Sequence, residues 1–185
     1  MDKKLYIDAN TFLIDSFRLA RLIYDRGYYP DFLIGLWRGG TPPGIAVQEF
    51  FRIKNIDPYH TAIKTQSYRG IGMRSSKIEI RGLGHVIDVI NSEDKLLLVD
   101  DVFDTGHTIK AVIEEIRRRA RKNTPEIKVA TVYYKPKNNQ TDILPDFYLK
   151  TTDYWIVFPH ELEGLTEEEI KQKNQDIYNI IYKQV

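Results

Sequence analysis

Apolar residues recur along this chain at two alternating spacings, and the alternation predicts its elements. Asn10 and Thr11 precede Leu13, Phe17, Ala20 and Tyr24, which recur three and four residues apart; this predicts a capped helix ended by Gly27. DFLIGL (31–36) is a continuous apolar run of strand length, WRGGTP reads as a loop, and PGIAVQEFFRI (43–53) is a helix with proline at its entry. YHTAIKT (59–65) is strand-like, and KLLLVD (95–100) is the clearest strand in the chain. Ile109, Val112, Ile113 and Ile116 then form one helical face, followed by strands at IKVATVYY (127–134) and YWIVF (154–158). A capping box from Thr166 to Glu169 opens a final helix. Residues 66–93 break this rhythm: glycines, serines and basic residues surround short β-like pieces, KIEI and HVIDVI, so a mobile flap is expected there. Strands alternating with helices imply an α/β fold, with a Rossmann-like central parallel sheet of about five strands covered by helices on both faces.

Length adds a bound: 185 residues suit one domain, taken here as residues 1–185 with a core over about 31–161. Charge excludes more than it suggests. Lysine and arginine total 27 against 26 acidic residues, and the net charge of +1 gives no general reason to expect a nucleic-acid or membrane surface. No apolar run approaches the roughly 20 residues of a membrane span, and MDKK is not followed by a signal-type segment, so a cytoplasmic protein is expected. The absence of cysteine removes disulfides, thiolate zinc sites and a cysteine nucleophile. The four histidines show no ligand spacing, so any metal would be held by oxygen.

The unusual stretch is KLLLVDDVFDTGHT (95–108), an apolar strand that runs into three carboxylates and then small hydroxyl and glycine residues. In open α/β sheets ligands sit beyond the carboxyl ends of the strands, and Asp100, Asp101, Asp104, Thr105, Gly106 and Thr108 fall where a strand turns into a helix. Backbone amides at that helix start, the positive end of its dipole, the two threonine hydroxyls and a glycine that admits close approach suit a phosphate. The acidic pair suits sugar hydroxyls or a hydrated Mg²⁺. An isolated acidic pair more often simply ends a strand. A receiver-type phosphorylation pocket also gathers strand-end aspartates, but its acidic pair lies near the start of the chain and lacks a phosphate loop after it.

VDDVFDTGHT resembles the phosphoribosyl-pyrophosphate (PRPP) signature of the type I phosphoribosyltransferases, in which two acidic residues and D-T-G-x-T follow an apolar strand. The resemblance implies that Asp104, Thr105, Gly106, His107 (through its backbone) and Thr108 bind the 5′-phosphate, and that Asp100 and Asp101 hold the ribose and Mg²⁺. LWRGGTPPG (36–44) resembles the family's pyrophosphate loop, with Arg38 meeting the pyrophosphate and Gly39 and Gly40 admitting it to backbone amides. Trp37 departs from the small residue common at its position. Ser67, Tyr68 and Arg69, at the start of residues 66–93, resemble the loop that closes over such sites. The family's reaction is displacement of pyrophosphate from PRPP by a base nitrogen, with Asp104 beside the base as proton acceptor or orienting group.

YYKPK (133–137) and DYWIVFPHE (153–161) resemble the 6-oxopurine branch. There a lysine, Lys135, donates to the ring's exocyclic oxygen, an aromatic, Trp155, stacks on the base, Ile156 offers backbone groups and Glu161 falls near the two-position side. An ammonium suits a carbonyl oxygen and is a poor partner for the amino group of adenine. The implied substrates are PRPP and hypoxanthine, guanine or xanthine, the products a nucleoside monophosphate and pyrophosphate, and the cofactor Mg²⁺. The resemblance further implies a hood built from chain-terminal segments and a homo-oligomer, dimer or tetramer. RRRARK (117–122) suits a helix C-terminus, where cations complement the dipole, better than an RNA surface. A second class of reading is a PRPP-sensing regulator with little catalysis; its repressor form needs an added helix-turn-helix domain.

Overall fold

In the computed structural model the described residues are 4–68 and 77–183. The chain separates into two compact units, one formed by residues 13–153 and the other by residues 1–12 together with 154–185.

The larger unit is the expected α/β sheet. Its strands are β2 (Phe32–Trp37), β3 (Tyr59–Tyr68), β4 (Lys77–Arg81), β5 (Lys95–Phe103), β6 (Glu126–Tyr134) and β7 (Phe147–Thr151), in the order β4-β3-β2-β5-β6-β7. Five of them, from β3 to β7 in that order, are parallel, and β4 runs antiparallel on the β3 edge. Alternation along the central strands sends successive side chains to opposite faces. Phe32, Ile34, Leu36, Leu96 and Leu98 pack with Ile109, Val112, Ile113 and Ile116 of α4 (His107–Ala120) and with Val86 of α3 (Gly84–Val89). Leu33, Leu97 and Val99 are buried at the alternate positions, and α2 (Thr41–Ile53) packs across β2 and β5. At roughly 1.5–3 kcal/mol for each large apolar side chain buried, these two layers account for the unit's cohesion.

Four sequence expectations need correction. The helix α1 (Ala9–Asp25) begins ahead of Asn10, because Asp8 caps it by accepting from the Thr11 amide at 2.9 Å. Its buried face carries Phe12, Leu19, Ala20 and Ile23, while Leu13 and Phe17 are exposed. HVIDVI is helix rather than β-like, and Leu83, Val86 and Ile90 enter the core, so residues 82–93 are framework. YWIVF does not join the large sheet. β8 (Trp155–Val157) pairs in parallel with β1 (Lys4–Tyr6) in a sheet of two strands, and the sheet position next to β6 belongs to β7.

The smaller unit contains β1, β8, α5 (Glu167–Lys173) and α6 (Gln175–Tyr182). Ile7, Phe12, Ile156, Val157, Phe158 and Ile170 are buried in it. The capping box at α5 is present: the Glu169 amide donates to the Thr166 hydroxyl at 3.3 Å and the Thr166 amide to the Glu169 carboxylate at 2.9 Å. Asn174 then ends α5 and caps α6, its side-chain oxygen accepting from the Asp176 and Ile177 amides. No helix among the described residues is long and apolar enough to cross a membrane.

Candidate active site

The carboxyl ends of β2, β5 and β6 gather most of the residues singled out in the sequence. β5 continues through both carboxylates to Phe103, so Asp100 and Asp101 lie on the strand and only residues 104–106 form the turn before α4. Gly106 occupies the left-handed region with φ 81°, and a Cβ there would lie 2.5 Å from the Thr141 hydroxyl and 2.9 Å from the Phe103 ring. Glycine is therefore required at this turn on two counts. Asp100, Asp104, Thr105, Gly106, Thr108 and Ile109 line a cleft of about 80 Å³ at the start of α4. The first-turn amides of a helix lack intrahelical partners, so this cleft presents donors and a positive dipole end to an anion. The His107 side chain is exposed, with Nε2 3.0 Å from the Gln140 side-chain oxygen, and its backbone amide belongs to that first turn.

Asp101 is buried, and a Cβ on Gly39 would come within 2.1 Å of its carboxylate. A Cβ on Gly40 would meet the Val99 carbonyl at 2.2 Å. Both glycines thus exist to let the loop after β2 settle on the end of β5. The Trp37–Arg38 peptide is cis, and the Trp37 side chain is exposed. The two neighbouring aspartates face different loops: Asp100 lines the phosphate-type cleft, and Asp101 lies against the Arg38-Gly39-Gly40 loop. The Asp100 carboxyl is pushed well above its ordinary range, first by burial and then by the charge of Asp101. A pair of adjacent, crowded carboxylates supplies hard oxygen donors and is a suitable seat for a hard divalent cation. Among the described residues no group of three or more histidine, cysteine or carboxylate side chains converges as a metal site. Mg²⁺ would therefore need oxygen donors from substrate or water besides these two.

Lys135 is buried at the end of β6, and its ammonium donates to Asp104 Oδ2 at 3.0 Å. Asn138 donates to the other oxygen, Asp104 Oδ1, at 2.8 Å. The loop that carries Asn138 also supports the phosphate turn, since the Gln140 amide donates to the Thr105 carbonyl at 3.0 Å. The sequence reading missed this loop; the signal was the polar run Asn138-Asn139-Gln140, three residues on from the strand-end lysine.

Trp155, Ile156 and Glu161 belong to the smaller unit. Trp155 is 58% exposed, whereas Ile156 is buried. Glu161 turns back on its own segment, accepting weakly from the Phe158 amide at 3.4 Å. The backbones of Ser67 and Tyr68 end β3, and Arg69 lies outside the described residues.

The phosphoribosyl transferase domain family matches residues 6–164 of this chain. The chain belongs to that family. A purine phosphoribosyltransferase from Pyrococcus horikoshii OT3 superposes with a TM-score of 0.70 at 32% identity, covering 90% of this chain and 99% of its own. A hypothetical protein from Neisseria gonorrhoeae, solved with bound ppGpp, gives a TM-score of 0.72 at 21% identity, with 95% and 96% covered. The xanthine-guanine-hypoxanthine phosphoribosyltransferase of Helicobacter pylori gives 0.64 at 22% identity, with 94% and 99% covered. No curated protein matches the chain. The phosphoribosyltransferase is thus of type I fold, and the segment VDDVFDTGHT lies at its strand-end cleft.

Proposed function

We propose that this phosphoribosyltransferase works in purine salvage in the cytoplasm, transferring the phosphoribosyl group of PRPP to hypoxanthine, guanine or xanthine in a Mg²⁺-dependent reaction. The observation that carries the reading is the Lys135–Asp104 ion pair at the rim of the phosphate cleft. The 32% identity to a purine phosphoribosyltransferase supports it.

The chemistry follows from the donors. The 5′-phosphate takes the amides and hydroxyls of residues 104–108, and the pyrophosphate takes Arg38 and the amides of Gly39 and Gly40. Asp100 and Asp101 would hold Mg²⁺, which when bound supplies charge neutralisation at the pyrophosphate. A base nitrogen forms its bond to the anomeric carbon as the carbon–oxygen bond to pyrophosphate breaks. The pyrophosphate leaves with that electron pair, and the nitrogen passes its proton to the Asp104 carboxylate. The Lys135 ammonium has three N–H donors; one is used on Asp104, so another can meet the exocyclic oxygen of the purine. An ionised carboxylate offers about four lone-pair positions, so Asp104 can accept from the base while it holds Lys135 and Asn138. Trp155 supplies an exposed ring for stacking, with Ile156 and Glu161 assigned to the base edge. The segment from Ser67 and a homo-oligomeric assembly, dimer or tetramer, complete the proposal.

The test offers hypoxanthine, guanine, xanthine, adenine, uracil and orotate separately with PRPP and Mg²⁺ and follows nucleotide formation. Turnover of 6-oxopurines is expected. Turnover of adenine or a pyrimidine alone would overturn the base assignment, and PRPP binding without turnover of any base would favour a PRPP-sensing regulator.

A further inference from the structure

Apart from the PRPP cleft, the larger unit contains a second cavity, of about 240 Å³, between α2 and the face of β3 that α2 leaves uncovered. Its floor and sides are largely apolar, with Leu33, Ile45 and Ala62 and the backbones of Gly35 and Gly44. No lysine, arginine or carboxylate lines it, which disfavours a phosphate or any charged ligand.

The polar groups in this wall are few, and two of them have no protein partner among the described residues. Gln48 is only 7% exposed and lines the cavity, yet its side-chain amide has no hydrogen-bond partner among the described residues. The Thr41 hydroxyl, also in the wall, is buried without a partner. The His60 Nδ1 lies 3.2 Å from the Pro58 carbonyl, so in the neutral ring Nδ1 donates and Nε2 remains an acceptor. Buried polar side chains are ordinarily satisfied, and a largely buried glutamine without a protein partner in the wall of an apolar cavity marks the place of a ligand group.

Size and chemistry narrow the class. The cavity, about 240 Å³, is small beside sites for drug-sized ligands and suits a compact ligand such as a nucleobase. A glutamine amide offers a donor beside an acceptor, the pattern that pairs in two-point fashion with the N6/N7 edge of adenine. We propose that the Gln48 cavity is a second binding site, taking a neutral planar heterocycle that carries a donor next to an acceptor, with adenine as its simplest occupant. The cavity lies behind the pyrophosphate loop: Thr41 opens α2 directly after Gly40, and a Cβ on Gly35 would lie 3.1 Å from the Gly40 carbonyl. The site is thus separate from the base position assigned to Lys135.

Calorimetric titration of the full chain with adenine alone, without PRPP or Mg²⁺, tests this. Saturable binding of one adenine per chain is expected, weakened about tenfold or more by Gln48→Leu. Ala62→Phe, which fills the cavity from β3, should abolish it, while Trp155→Ala leaves it unchanged. Melting curves establish that each variant is folded. Absence of saturable binding would overturn the proposal. So would binding that survives both Gln48→Leu and Ala62→Phe but is lost in Trp155→Ala, since the adenine would then occupy the base site. Because the titration reads binding and not turnover, its outcome is independent of the transferase assay.

Discussion

The Lys135 ammonium sits 3.0 Å from Asp104 Oδ2, joining the end of β6 to the first residue of the turn before α4. Two functions assigned separately, holding the base and meeting its proton, therefore rest on one ion pair. Asp104→Asn should lower turnover by about 10²- to 10⁴-fold, the range for a lost acid-base group, with far less effect on PRPP affinity. Steady-state kinetics paired with PRPP titration reads both quantities. Unchanged turnover removes Asp104 from the chemistry.

Asn138 holds the second oxygen of Asp104 and is a positioning residue. Asn138→Leu should reduce kcat by about tenfold, the scale of one hydrogen bond of roughly 1.4 kcal/mol, with KM for PRPP nearly constant. Equal losses in kcat and in PRPP binding would mean that the whole loop had moved.

Gly39→Ala probes the loop to which the proposal assigns the pyrophosphate. The added methyl would meet the Asp101 carboxylate, the far end of a side chain rather than backbone, at 2.1 Å. Transferase activity should fall by at least tenfold while the melting temperature changes little. A wild-type rate would show that the loop and Asp101 need not touch during the reaction.

Tyr28 supplies a pH dependence of stability. Its hydroxyl is buried and donates toward the Leu96 carbonyl at 3.1 Å, and burial, followed by the charge of Glu126, pushes its pKa well above the ordinary value. The folded state then keeps the phenol proton to higher pH than the unfolded state, so stability is unaffected below about pH 10 and falls as pH rises past it. Urea unfolding of Tyr28→Phe should show a loss of about 0.5–1.5 kcal/mol at pH 7 and a weaker decline above pH 10. A parallel decline in both proteins would contradict this.

The fold was legible where periodicity and length agreed, as in KLLLVD and the Ile109–Ile116 helix face. HVIDVI misled because a short apolar run fits strand and helix equally, and only packing of Leu83, Val86 and Ile90 into the core decides it. In α1 two apolar stripes compete; the structure buries Phe12, Leu19 and Ile23 together with Asp15 and Ser16, polar residues that hide the stripe from a sequence reading. The carboxylate of Asp15 is matched by Arg18 and Lys150, a remote partner that no local pattern announces. YWIVF was readable as a strand, but its partner β1 lies at the far end of the chain. The family was readable because the residues of VDDVFDTGHT are contiguous. The tie between Lys135 and Asp104 was not, since it depends on β5 and β6 being neighbours in register, Phe103 opposite Tyr134.

The most direct measurement is the ratio of kcat/KM for hypoxanthine to that for adenine at saturating PRPP and Mg²⁺. A site built around an ammonium donor should favour hypoxanthine by about 10⁴ or more, the discrimination reached when a mismatched ligand leaves a buried polar group unpaired. A ratio near one, or a preference for adenine, would contradict the assignment of Lys135 to the purine oxygen and with it the 6-oxopurine specificity.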